Sequence, residues 1–385
     1  MDRRPVVLHL ITKLEFGGAQ QNTLYTVGHL DPARFDVILA SGPGGMLDAQ
    51  ALQLPKHVKV FWLKHLRREI HPLQDALAIA EIHALIRRTD PDIVHTHSSK
   101  AGILGRMAAW AAGVPVIIHS FHGFGFHDYQ KPLVRTSYAA IEKMIGWLTT
   151  HFIFVSRMNE AYAASWGIRA RKGSTLIRSG VDLQRLRRLD QATRERKRTE
   201  LGIPADSMVV SMIGNLKPQK NSKDFIELAK RLLNTQPHAL FLFIGGTEKD
   251  CADQERLARS VPKNLRCLGW RADSAEILKA SDVFVLTSLW EGLPRSLVEA
   301  MALGLPTSAY ATDGIAELID NAQNGILVAP KDIDALCLNL QRLLDDAALR
   351  ARLGGKAQHA IGDEFDINTM VTEQERLYFK LLPAA

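Results

Sequence analysis

Short apolar, β-branched runs alternate with helix-forming stretches along almost the whole chain, and this alternation limits the fold more than any other feature. Runs of strand length fall at 6–11, 35–40, 58–63, 93–97, 116–119 and 152–155. Each is followed by a connection too long for a hairpin, so neighbouring strands must be joined by crossovers and lie parallel. The stretch 75–88 shows why the connections read as helices, since Leu77, Ile82, Leu85 and Ile86 form an apolar stripe. Around 175–182 the chain reads as a strand and then a turn. A second set of strands is expected at 208–213, 240–244, 265–268, 283–286 and 306–309, and after 332 the pattern is mostly helical, ending in a helix near 370–382. The fold class is α/β with a parallel sheet in each half. A chain of 385 residues can bury two cores, each in a domain of about 150 to 200 residues.

The hydrophobic share of 46% and charged share of 23% are those of an ordinary globular protein. No apolar run approaches the roughly 20 residues that cross a bilayer. Only the short run 6–11 follows Asp2, Arg3 and Arg4, so the expected location is cytoplasmic. Cys251, Cys267 and Cys337 are odd in number and widely spaced, which suggests free thiols and neither a disulfide framework nor a zinc site. The net charge of +7 is uneven: 128–200 holds 15 Lys and Arg against 7 Asp and Glu. An anionic partner is expected. The densest run, 185–198, lacks interleaved aromatics and any nucleic-acid module, so nucleic acid is not expected. It reads either as a solvated linker surface or as part of a basic region, 131–198, that meets an anionic membrane face.

The stretch Glu291-Gly-Leu-Pro-Arg-Ser-Leu-Val-Glu299 carries the clearest chemistry. It follows a strand-length run and leads into a helical one, so backbone N–H groups around Arg295 to Leu297 would open a helix and suit a phosphate. Glu299, expected in the first turn, can accept hydrogen bonds from a vicinal diol such as a ribose, and Glu291 stands at a strand end, where open α/β sheets bind ligands. Taken alone, the two carboxylates could equally complement the helix dipole and face solvent. Gly214 at a strand end permits a close turn, and Lys220 can reach a diphosphate. Gly245 and Gly246 form another tight strand-to-helix turn. In Leu268-Gly-Trp-Arg271 a glycine lets a base approach the backbone beside Trp270 or Arg271. Histidines gather at 95, 97, 119, 122 and 127.

The wording LWEGLPRSLVEAMALGLP resembles the E-x7-E signature of the family 4 retaining glycosyltransferases, which have the GT-B fold. Phe16-Gly-Gly-Ala-Gln20 is similar to the family's first turn, and Ile213-Gly-Asn-Leu-Lys-Pro-Gln-Lys220 to its phosphate loop. HTHSSKAGILGR and HSFHGFGF resemble bacterial members that act on lipid-linked surface polysaccharides. The resemblance spans essentially the whole chain. It implies two Rossmann-like domains facing a central cleft: 1–180 for the acceptor, 181–366 for the donor, and 367–385 as a helix crossing back to the first.

The resemblance also implies an activity, the retaining, metal-independent transfer of a hexose-type sugar from a nucleoside diphosphate, UDP being expected, to a lipid-linked or saccharide acceptor. No cofactor is required. Glu291 would position sugar hydroxyls, Glu299 the ribose, and Lys220 with Lys217 the diphosphate. His122 would hydrogen-bond the transferred sugar, and Gly17 and Gly18 would let the first loop approach the phosphates. Gly292, Leu293, Arg295, Ser296 and Leu297 would complete the donor contacts, with His97, Ser98, Ser99 and Lys100 shaping the acceptor pocket. Two departures stand out: Asn215 replaces the family's arginine, and Pro294 has no N–H to offer a sugar hydroxyl. A binding protein without turnover, and a metal-dependent hydrolase built on the histidines, are the alternatives.

Overall fold

A computed structural model describes residues 3–246 and 263–383, so Cys251 lies outside the described residues. The chain divides into two units, one of 1–180 with 367–385 and one of 181–366. In the first, strands β1 (Val6–Lys13), β2 (Asp36–Gly42), β3 (Val58–Trp62), β4 (Ile93–His97), β5 (Val116–Phe121), β6 (His151–Phe154) and β7 (Ser174–Leu176) form one sheet in the order β3-β2-β1-β4-β5-β6-β7. In the second, β8 (Met208–Ile213), β9 (Ala239–Ile244), β10 (Leu265–Cys267), β11 (Val283–Leu286), β12 (Thr307–Tyr310) and β13 (Ile326–Val328) follow the order β10-β9-β8-β11-β12-β13. Every pairing in both sheets is parallel, as helical crossovers require. Strand β13 was not anticipated; three residues are too few to make a periodic signal.

The first sheet buries both faces. Val7 and Ile11 of β1 pack on one side with Val27, Phe35, Met370, Leu377 and Tyr378, while Leu8 and Leu10 face Ile82, Leu85, Ala101 and Leu104 on the other. The period of two in β1 therefore assigns His9 to the face covered by the last helix, Ile367–Leu381. That helix places Ile367, Met370, Val371, Leu377 and Leu381 in the core of the first unit. Each such burial contributes roughly 1.5–3 kcal/mol, which binds the helix there. Gly180 allows the chain to leave and return at one point: a Cβ there would meet Ile367 Cα. In helix Pro72–Thr89 the expected stripe shifts by one residue, because Ala78 is buried and Leu77 is 38% exposed.

Arg106, from helix Ser99–Ala111, is fully buried and donates to Glu142 of helix Pro132–Gly146 at 2.6 Å. Removing one partner of such a pair strands a charge, at a cost of about 3–5 kcal/mol, whereas replacing both with apolar groups is close to neutral. Glu142→Ala is expected to lower stability by that amount in chemical denaturation, and the double variant Arg106→Met/Glu142→Leu to recover most of it. Equal losses in the two variants would contradict this.

Candidate active site

In the second unit the strand order reverses direction between β8 and β11, and the loops leaving the carboxyl ends of these two strands lie where open α/β sheets bind ligands in a crevice. Both sequence motifs lie there. The loop after β8 is stitched to the loop after β11 by hydrogen bonds: Leu289 N–H to Gln219 O at 2.8 Å, Gln219 Nε2 to Trp290 O at 2.9 Å, and the single Thr287 hydroxyl proton shared between Lys220 O at 2.9 Å and Asn221 O at 3.0 Å. The Lys220 ammonium closes the seam with an ion pair to the Glu291 carboxylate, both side chains being largely buried. Glu291 N–H donates to Asp313 Oδ2 at 2.8 Å, which fixes the backbone as well. Gln219, Thr287 and Asp313 carry no sequence signal of this role, because each acts on residues about 20 to 70 positions away.

Glycines line the neighbouring strand ends. Gly214 N–H donates to Ile244 O at 2.9 Å and Gly245 N–H to Gly269 O at 2.7 Å, so the turns after β8, β9 and β10 form one layer. Gly245 has φ +128, and a Cβ there would overlap Gly214 O, so only glycine fits. Asn215 Oδ1 accepts from Lys217 N–H at 3.3 Å and shapes the turn.

Helix Arg295–Ala302 begins at Pro294 with no side-chain cap and no acidic residue in its first turn. Helices Leu183–Arg187, Gln191–Glu200, Ile333–Asp345 and Ala347–His359 each start on a capping aspartate. The positive end of the helix beginning at Arg295 has no side-chain cap, as is also true of the helices beginning at Gly18, Ser99 and Ser222. Two expectations are corrected here. Glu299 is the fifth helical residue, just past the first turn where it was expected, and Leu297 N–H already donates to Pro294 O at 3.0 Å. Gly292, Leu293 and Pro294 are buried, and Ser296 is partly exposed. Glu299 stands 3.8 Å from Arg295, too far for a hydrogen bond. Burial raises the Glu299 carboxyl pKa and lowers that of Arg295, each offset in part by the charge of the other.

Trp270 is 37% exposed after β10. Arg271 is turned into an ion-pair cluster, 2.7 Å from Asp273 and 3.0 Å from Glu200, with Lys197 on the same Asp273 at 2.6 Å. Hydrogen bonds from Arg271 hold Asp273 well below the usual carboxylate range. The dense basic run is consumed in the same way. Arg185 pairs with Glu276, Arg187 with Asp363, and both Arg194 and Arg198 with Asp282. With Lys197, five of the seven cations in 185–198 are thereby neutralised within the second unit.

In the first unit, β1, β4 and β5 bring histidines together. His9 Nδ1 lies 3.1 Å from His97 Nε2, and His97 Nδ1 lies 3.2 Å from His122 Nε2. His95 contacts Tyr378 Oη at 2.6 Å and Ser120 Oγ at 2.7 Å. His119 turns away to Thr96 Oγ1 at 2.9 Å. Ring nitrogens of His9, His95 and His97 come within 4.8 Å of one another, so His9 is the third member the sequence reading lacked. Its signal was available, since residue 9 shares the inward alternation of β1; Tyr378 gave none. Burial lowers His9 to about 3 and His122 to about 4, and pushes His95, His97 and His119 well down. Ser98 Oγ is bound to Thr12 Oγ1 at 2.7 Å, and Lys100 pairs with Asp75 at 2.5 Å, so both are tied into the scaffold. Gly17 has φ 176, a conformation open to any residue, and only the flexible Gln20 side chain would meet a Cβ there.

Residues 17–176 match the Glycosyl transferase 4-like domain, and 193–360 match Glycosyl transferases group 1. The chain is 33% identical over 375 residues to UDP-Gal:alpha-D-GlcNAc-diphosphoundecaprenol alpha-1,3-galactosyltransferase of Escherichia coli, covering 95% of this chain and 94% of that one. The chain belongs to the family 4 glycosyltransferases. Its fold is GT-B: sucrose-phosphate synthase of Thermosynechococcus elongatus superposes with TM-score 0.84 at 21% identity, covering 98% of this chain and 99% of that one. Anabaena Alr3699/HepE in complex with UDP-glucose gives 0.81 at 21%, covering 97% and 99%.

The buried histidines predict how this glycosyltransferase responds to acid. Their folded pKa values lie below the ordinary 6.5, so the unfolded chain binds more protons once pH falls below about 6.5. Stability is fully present above that pH and declines below it, by up to about 1.4 kcal/mol per pH unit for each histidine. Melting temperature should drop between pH 7 and pH 5, less steeply in His9→Phe; a flat profile would contradict this.

Proposed function

We propose that this glycosyltransferase transfers a hexose-type sugar from UDP, with retention of anomeric configuration and without a metal, to a lipid-linked diphosphate or saccharide acceptor of a cell-surface polysaccharide. The observation that carries the reading is the crevice of the second unit, where the Gly214 and Glu291 loops are joined through Lys220 beside an uncapped helix start. Lys220 and Lys217 are the cations for the diphosphate, and the opening of helix Arg295–Ala302 adds a dipole of the right sign. Glu299 binds the ribose, and Glu291 with Gly292, Leu293, Arg295, Ser296 and Leu297 surrounds the sugar. Gly214, Asn215 and Gly245 permit close approach of the phosphates, and Trp270 with Arg271 borders the base. In the acceptor-binding unit His122 contacts the sugar. Gly17 and Gly18 let the first loop approach the phosphates, and the extended φ of Gly17 does not itself require glycine.

In the reaction, the bond from the anomeric carbon to the diphosphate oxygen breaks while the acceptor oxygen bonds to that carbon. The acceptor proton passes to the departing diphosphate on the same face, so no protein nucleophile is required. The protein aligns the partners and stabilises the leaving charge. The Escherichia coli relative, a UDP-Gal:alpha-D-GlcNAc-diphosphoundecaprenol galactosyltransferase, supports UDP as nucleotide and a polyprenyl-diphosphate sugar as acceptor. The direct test is incubation with UDP-galactose and synthetic GlcNAc-diphosphoundecaprenol, with product configuration read by NMR. An α-linked product formed in the presence of EDTA is expected; no transfer from any UDP-sugar, or loss of transfer on chelation, contradicts the reading. Glu299→Gln should weaken UDP binding by at least tenfold, since hydrogen bonds to charged groups contribute about 1.5–3 kcal/mol. Unchanged affinity would remove the ribose assignment.

The membrane contact belongs to helix Pro132–Gly146 and its flank, not to the neutralised run 185–198. This helix buries Ala139, Glu142 and Ile145, and exposes Leu133, Val134, Ile141 and Met144 on its other side, continued by Trp147. Leu133 is 80% and Trp147 74% exposed, far beyond what a solvated face requires. Lys131, Lys143, Arg169, Arg171 and Lys172 are exposed around it, each contributing about 1 kcal/mol near an anionic leaflet. No helix among the described residues is long and apolar enough to cross a membrane, so the association is peripheral. Leu133→Glu/Trp147→Glu should cut co-sedimentation with phosphatidylglycerol vesicles about tenfold without changing the melting temperature. Equal sedimentation would count against this face.

A further inference from the structure

The histidines of the first unit form a directed hydrogen-bond chain whose direction is determined at Tyr378. The Tyr378 hydroxyl faces three groups: His95 Nδ1 at 2.6 Å, Gln374 Oε1 at 3.3 Å and His9 Nε2 at 3.4 Å. It has one proton to give. Gln374 Oε1 can only accept, its amide nitrogen donating to Thr26 Oγ1 at 3.4 Å. His95 either receives the Tyr378 proton, passing its own Nε2–H to Ser120, or donates to the phenol and leaves that proton for Gln374. In both arrangements the proton points away from His9; the third, which spends it on the longest of the three contacts, is set aside. His9 Nε2 is then the donor to Tyr378, which leaves His9 Nδ1 bare. The bare nitrogen accepts from His97 Nε2–H, His97 Nδ1 in turn is bare, and it accepts from His122 Nε2–H. The chain ends at His122 Nδ1, which is buried and has no hydrogen-bond partner among the described residues.

We propose that Tyr378, His9 and His97 are positioning residues that hold His122 in its Nε2–H tautomer, so that a bare Nδ1 lone pair accepts a hydroxyl of the transferred sugar. This rests on the reading of His122 as the sugar contact. Burial keeps the rings neutral, His9 near 3 and His122 near 4, so no second ring proton blocks the chain at neutral pH. The tautomer matters because the anomeric carbon becomes positive as the diphosphate departs. An N–H aimed into the site would oppose that charge, while a lone pair does not. The relay also gives the last helix a task beyond packing, since it carries Tyr378 to the base of the chain.

The test uses the full chain labelled with 15N-histidine and long-range 15N–1H correlation spectra. In the wild type, His122 should show a bare Nδ1 and a protonated Nε2. Tyr378→Phe removes only the hydroxyl and should yield a mixture of His122 tautomers, with kcat for sugar transfer down roughly tenfold and donor KM unchanged. His97→Phe, which cuts the chain further along while keeping a ring, should do the same and serves if Tyr378→Phe folds poorly. A protonated Nδ1 on His122 in the wild type, or a His122 tautomer indifferent to both substitutions, would overturn the relay. So would stoichiometric metal in the purified protein with metal-shifted His9 and His97 resonances. The predicted tautomer in a protein whose His122→Phe variant transfers sugar at the wild-type rate would uphold the relay and refute the sugar contact.

Discussion

The ion pair between Lys220 and Glu291 is the constraint on which the candidate site of the second unit depends. It joins the loops leaving β8 and β11, the two strands between which the sheet order reverses, and both side chains are largely withdrawn from water. A buried pair of this kind gains little net stability, because its attraction is offset by desolvation, but either partner alone would be costly. Its consequence is geometric. With Gln219, Thr287 and Asp313 binding the backbone on either side, the two loops move as one piece, and the start of helix Arg295–Ala302 follows them. The ammonium that would meet a diphosphate is thus already fixed in place, with Glu291 neutralising it until a stronger anion competes.

The first unit is organised around the same kind of place, the ends of β1, β4 and β5, but with neutral groups. Five histidines are kept uncharged by burial and bond to one another and to Ser120, Thr96 and Tyr378, with His122 Nδ1 left over among the described residues. The loops after β8 and β11 of the second unit are held by a charged pair, whereas this cluster is uncharged. Helix Ile367–Leu381 belongs to the first unit in both senses, filling its core and completing its histidine chain.

Local signals carried most of the architecture. Strands such as β1, β4, β8 and β11 were legible because fully buried parallel strands are continuous β-branched and apolar runs, and the glycine turns after β8 and β9 mark where backbones must approach. Misreadings arose where tertiary contacts overrule a local pattern. The buried stripe of helix Pro72–Thr89 runs through Ala78 and leaves Leu77 outside, a one-residue rotation that apolar spacing alone does not fix. The basic run 185–198 looked like a surface field, yet its partners Glu276, Asp282 and Asp363 lie about 75 to 180 positions later in the chain. The exposed apolar side of helix Pro132–Gly146 was not anticipated, because composition does not tell which apolar residues stay outside the core. Tyr378 illustrates the limit most sharply: nothing near it in sequence tells that it meets His9 and His95.

Titration calorimetry of UDP against the full chain in the presence of EDTA, repeated with Lys220→Ala, tests the central claim most directly. The account predicts saturable, chelator-insensitive binding with one site per chain, weakened at least tenfold by the substitution, as expected for loss of a charged hydrogen bond. Absence of UDP binding, or binding that Lys220→Ala leaves unchanged, would contradict it.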